Sequence, residues 1–135
     1  MKCVPHTAVR PYASPVTTPP GWPRAVPDPE SSHFPDKVVG WMLDLCPPEY
    51  RSHEVFRRHP VILARLAALH AEASLQAARA GYAGARRDLA ARVPPEAVEE
   101  TLVALSKEGA RLAAQVREVA LVEEALQGRR WRPKL

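Results

Sequence analysis

The sequence predicts an all-α protein: a long antiparallel two-helix hairpin, coiled-coil-like, with one or two short N-terminal helices and a proline-rich extended tail. Three observations predict it. Of the 15 prolines, eight precede Glu30 and none falls between Ala64 and Arg92, so extended and helical chain divide along that line. Two helical patterns of equal length, 60–92 and 95–127, flank the break at Pro94-Pro95. The position of that break then aligns an apolar stripe on one helix with an apolar stripe on the other.

In chain order, residues 1–34 read as an extended, largely disordered tail. Pro5, Pro11, Pro15, Pro19, Pro20, Pro23, Pro27 and Pro29 oppose helix and favour polyproline II or turns. Pro20-Gly21-Trp22-Pro23-Arg24 carries a PxxP spacing, which could dock on an aromatic groove but also arises by chance in so proline-rich a stretch. Residues 35–45 read as a short helix. Pro35 suits its first position, Asp36 its first turn, and Val38, Met42 and Leu45 share a face with Val39 and Trp41 beside it. Cys46-Pro47-Pro48 stops it. Residues 48–58 read as a second short helix anchored by Tyr50 and Phe56.

His59 precedes a proline and is pushed out of the α region, while Pro60 fits the first turn of the next helix. From Pro60 the pattern is helical to Arg92. Pro95 restarts it, and Gly128 is a natural residue to end it. Two helices of this length, each about 50 Å, joined by roughly two residues must turn back on each other. The helical domain therefore covers 35–128, followed by a basic C-terminal tail, 129–135.

The hairpin fixes its own register. If Arg92 meets Pro95, facing residues have numbers adding to 187. The second helix carries a heptad stripe of Val98, Leu102, Leu105, Gly109, Leu112, Val116, Val119, Glu123 and Leu126. The rule sets these against Leu89, Ala85, Tyr82, Ala78, Leu75, Ala71, Ala68, Ala64 and Val61, every one apolar. Small residues face large ones at several levels, which lets the axes approach. Gly81 and Gly84 lie near the Ala78/Gly109 level, where close backbone approach or a kink would explain them, and a leucine at 109 is expected to overpack it.

Charge agrees with the pairing. The first helix has five arginines against two acids, a net of +3; the second has three cations against seven glutamates, a net of −4. The register sets Arg79 opposite Glu108 and Arg87 opposite Glu100, with Arg65 near Glu123. Exposed pairs of this kind are worth about 0–1 kcal/mol and select register more than they stabilise.

Ile62, Leu66, Leu69 and Ala73 form a second stripe that does not face the other helix, with Leu63 nearby. Leu121 and Val122 flank the seam at the same end. A two-helix hairpin alone buries too little to offset chain entropy of about 1.5 kcal/mol per residue. That end must pack on something. The short helix bearing Val38, Val39, Trp41, Met42 and Leu45 is one candidate, and a second copy of the chain is another. The loop end has fewer surplus hydrophobes and is expected to project as an arm.

Function is less legible. At 46% hydrophobic, 25% charged and only 6% aromatic, the composition is that of an ordinary domain with an aliphatic core. A formal charge of +4 and a pI of 9.4 fall short of a committed nucleic-acid binder, and the excess of Arg over Lys reads first as a coding bias. Cys3 and Cys46 make no disulfide framework, no apolar run could cross a bilayer, and prolines interrupt any leader-like stretch, so a cytoplasmic location is expected. Cys46, His53 and His59 are too widely spaced for a zinc site. His70 has no partner at helical spacing, Glu123 reads as an acid turned toward Arg65, and no phosphate loop, nucleophile elbow or HExxH occurs. No enzyme, cofactor or metal is expected. The leading expectation is a helical interaction or scaffolding module with an unidentified protein partner, self-association included, through Ile62, Leu66, Leu69, Leu121 and Val122. The alternative is a nucleic-acid accessory protein. It would use Arg129, Arg130, Trp131 and Arg132 of the tail, with the arginines of the first long helix; against it, Trp131 could pack back near Leu126 and the arginines neutralise the helix end.

Overall fold

The computed structural model describes residues 18–133. Four α-helices occur among them: α1 Phe34–Asp44, α2 Glu54–Arg58, α3 Pro60–Leu89 and α4 Pro95–Leu126. A 3-10 turn, Pro48–Ser52, sits between α1 and α2. The helices α3 and α4 form the antiparallel hairpin, about 45 and 48 Å long at 1.5 Å per residue.

The boundaries follow local chemistry. Residues 48–58 are not one helix, because His53 is extended (φ −102°, ψ 105°) and separates the 3-10 turn from α2. The helix α3 stops at Leu89, three residues before the expected end. Leu89 O accepts the amides of Arg92 and Val93 as the chain unwinds ahead of Pro94, which disfavours α backbone in the residue before it. At the far end of α4, Gly128 (φ +90°) closes a Schellman motif: Gly128 N–H donates to Ala125 O and Arg129 N–H to Glu124 O.

The register is the one the loop dictates. Leu75, Ala78 and Leu112 pack as one cluster at mid-hairpin. Ala85, Val98 and Leu102 pack with Leu89 as another near the loop. The large cluster is at the base, where Leu63, Ala64, Ala67 and Ala71 of α3 meet Val119 and Val122 of α4, and Phe34, Val38, Met42 and Leu43 of α1 close over them. The short helix thus covers only part of the surplus at this end: Val38 and Met42 are fully buried with Leu63 and Val122, while Ile62, Leu69 and Ala73 stay exposed.

The charge pairs are less faithful. Arg65 does approach Glu123 (3.6 Å), but Glu108 binds Arg111 on its own helix and Arg87 turns to Asp88. The cross-helix bridge near the loop is Arg86–Glu99. Long exposed side chains take the nearest opposite charge, and three residues along the same helix is as near as the neighbouring helix.

The largest departure is the proline-rich segment. Residues 18–33 are not a loose extension but a strap of successive turns laid over the base. Trp22 N–H donates to Pro19 O across Pro20-Gly21, with Gly21 at φ +88°, the geometry of a type II turn. Val26 N–H donates to Pro23 O and Ser31 N–H to Asp28 O. Trp22 Nε1 binds Val26 O at 2.8 Å, Val26 is buried, and the Trp22 ring stacks with Phe34. Proline content excludes helix here, as expected, but apolar Trp22, Val26 and Phe34 supply the burial that fixes the turns. Residues 1–17 and the expectation made for them lie outside the described residues.

Candidate interaction surfaces

The helix α3 presents three sides. One meets α4, one meets α1 and the 3-10 turn, and the third faces outward. On the outward side Leu69 is 55% exposed and Ile62 43%, Ala73 is exposed, and Leu66 is half-buried. Spacings of four, three and four put these residues in one seam. Val61 and Val55 are also exposed near this end. The other two residues expected on this surface are elsewhere. Val122 is fully buried in the base core, and Leu121 is half-buried beneath the strap, its Cδ1 3.7 Å from where a Cβ on Gly21 would stand. The free surface therefore belongs to α3 alone. The sequence could not assign Leu121 and Val122, because the strap and α1 that cover them have no helical period linking them to α4.

The basic end is partly engaged within the chain. Arg130 donates to Glu30 of the strap at 2.7 Å and to Ala125 O at 3.0 Å, and Arg129 lies 3.8 Å from Glu124. Trp131 is half-buried beside Pro19, Trp22 and Pro29, lining a small cavity of about 130 Å³ between strap and α4. Arg132 is exposed. Of the four residues named for nucleic-acid contact, Arg130 and Trp131 engage the strap, while Arg129 and Arg132 stay largely exposed.

A shallow groove crosses the hairpin at the Ala78/Gly109 level, lined by Ala78, Arg79, Tyr82, Leu105, Ser106 and Gly109, with a volume of about 250 Å³. A Cβ added to Gly109 meets nothing within 4 Å, so this glycine leaves space rather than permitting contact. Gly81 is tighter than Gly109, since its Cβ would stand 3.3 Å from Leu105 Cδ1, and a Cβ on Gly84 would stand 2.8 Å from the Arg87 guanidinium of its own helix. Tyr82, expected inside the seam, is half exposed at the rim.

Titratable groups near the base are structural in placement. Tyr50 Oη lies 3.0 Å from His70 Nε2 and ties the 3-10 turn to α3, with Phe56 packed on the same tyrosine ring. The sequence offered His70 no partner because Tyr50 comes from another element. Cys46 is buried in the base core, and burial pushes its thiol above the ordinary value. Among the described residues no three His, Cys, Asp or Glu side chains are grouped to hold a metal ion. Arg86, hydrogen-bonded to Glu99, is held above the ordinary arginine value, and Arg111 holds the Glu108 carboxyl below the ordinary carboxylate value. No described helix is long and apolar enough to cross a membrane. The chain matches no family model, and no curated protein or solved structure matches it.

Proposed function

We propose that this chain is a non-enzymatic helical interaction module that docks a partner on the outward face of α3. The observation that carries the reading is the stripe Ile62, Leu66, Leu69 and Ala73. It is apolar, heptad-spaced and left uncovered beside a base core in which Leu63, Val119 and Val122 are fully packed. Such a stripe is the ordinary surface for receiving another helix. The free buried thiol of Cys46 fits a reducing, cytoplasmic setting. A nucleic-acid role through Arg129, Arg130, Trp131 and Arg132 has weaker support, since the strap already engages Arg130 and Trp131.

The test is Leu69→Glu in the full chain. On this reading it leaves the stability of the isolated monomer within about 0.5 kcal/mol of wild type, as surface changes do, and removes the proximity partners that wild-type protein labels in its native cells. A loss of several kcal/mol in stability, or an unchanged set of partners, sinks the reading.

A further inference from the structure

The stripe on α3 carries information about its partner, because the charges along its edge are their own complement. Arg65 and Glu72 both occupy the position just before a core residue of the seam (Leu66 and Ala73), one heptad apart and on the same flank. Arg65 is well exposed, with Glu123 as its neighbour at 3.6 Å; no ion pair reaches Glu72 among the described residues. In an antiparallel helix pair, residues at this flanking position face each other across the seam and set the register.

We infer that the occupant of this face is a second copy of the chain, its α3 antiparallel to the first about a two-fold axis between Ala67 and Ala68. Facing core residues then have numbers adding to 135. Ile62 lies on Ala73 of the second copy, Leu66 on Leu69, and by symmetry each pair recurs. Arg65 falls about two residues, or roughly 3 Å, from level with Glu72 of the second copy. This is within reach of two long side chains and occurs twice.

The neighbouring registers fail on charge. A slip of one heptad toward the N-terminus sets Arg65 against Arg65. A slip the other way sets Glu72 against Glu72 and Arg65 against Arg79. Of these three registers, only the one that fills all four apolar layers pairs opposite charges. An unrelated helix would need no such symmetry. An isologous contact requires it, since one patch must fit itself. The stripe is about 17 Å long, which is short. Interfaces at the low end of the size range are weak and transient, so the dimer forms at micromolar concentration.

This proposal rests on the interaction reading of the same face and makes a sharper demand. In sedimentation velocity at about 50 mM salt, wild-type chain dimerises. Glu72→Arg alone and Arg65→Glu alone each weaken dimerisation about tenfold, since each turns two attractive pairs repulsive. An equimolar mixture of the two variants restores a dimer of wild-type affinity. One variant then carries cations at both flanking positions and the other carries acids at both, so each of the two contacts again joins opposite charges. Circular dichroism confirms that each variant folds, and Glu72→Arg touches no ion pair within the chain. A wild-type monomer at about 200 µM overturns the second copy as occupant, as does a mixture no more dimeric than its components. Neither result touches the interaction reading, which falls separately if Leu69→Glu destabilises the monomer or leaves its partners unchanged.

Discussion

At the base of the hairpin, α3 is covered on two sides; in the arm, it has α4 alone. The same helix thus lives in two environments. Leu63, Ala64 and Ala67 at the base are fully buried between α1 and α4. In the arm, burial shrinks to two small clusters of three residues each, separated by a groove at Gly109 and Tyr82. A hairpin does not need uniform packing to stay in register. It needs one well-covered end and a seam that cannot slip.

The largest effect that would test this contrast is at Leu63. Leu63→Ala should cost about 2–5 kcal/mol in urea denaturation, because α1, α3 and α4 all close on the site and relax little around the void. Leu102→Ala in the arm should cost less, near the bottom of that range at about 2 kcal/mol, since two helices with open flanks collapse more easily. Equal losses at the two positions would show the arm to be as tightly packed as the base. Native-state hydrogen exchange gives the same comparison without mutation: amides around Leu102 should open at lower free energy than those around Leu63.

What the sequence disclosed, it disclosed through periodicity. The hairpin, its antiparallel sense and the pairings of Leu75 with Leu112 and Ala85 with Leu102 follow from heptad spacing and the Pro94-Pro95 break, because both are local and repeat. The strap escapes because its apolar contacts, Trp22, Val26 and Phe34, have no period, although Pro20-Gly21 does carry a turn signature that a reading of proline as disorder passes over. Val122 reads as surface in the sequence because its cover comes from outside the hairpin. Arg79 and Arg87 miss their assigned partners because register constrains a backbone level, not where a flexible guanidinium ends. For the candidate surface, Ile62, Leu66, Leu69 and Ala73 are visible as surplus, yet only packing shows which surplus stays uncovered.

A smaller effect separates the two glycine levels of the arm. Spacing alone predicts that a larger residue at 109 overpacks, but a Cβ there meets nothing within 4 Å. Gly109→Ala should therefore stabilise by up to about 1 kcal/mol through helix propensity alone. Gly81→Ala gains less or nothing, with Leu105 Cδ1 at 3.3 Å. If both alanines stabilise equally in thermal melts, the groove is not a packing gap but a place where the helices already yield.

The smallest effect concerns acid. Arg111 lowers the Glu108 carboxyl below the ordinary value, so the pair adds stability above the unfolded carboxylate range and loses it as pH falls through the folded value. The pair is exposed and lies within one helix. Replacing Glu108 by Gln should flatten the acid limb of a plot of melting temperature against pH only slightly. A larger shift would mean that arm charges, and not its two apolar clusters, hold the arm closed.

The clasp between Arg130 and Glu30 has a kinetic consequence. Its partners are 100 residues apart in the chain, whereas the hairpin can close outward from a loop of a few residues. Loop-closure entropy grows with separation, and contacts that span the chain form after local ones have shortened the path. Loop closure therefore favours zipping of the helices from the Pro94-Pro95 turn toward the base, and the strap is expected to come down last, over a surface that must exist before it can be covered. During that interval Leu121 and the Trp22 binding face are bare. On that order the base, the best-buried part of the finished molecule, is the part longest open to a wrong neighbour.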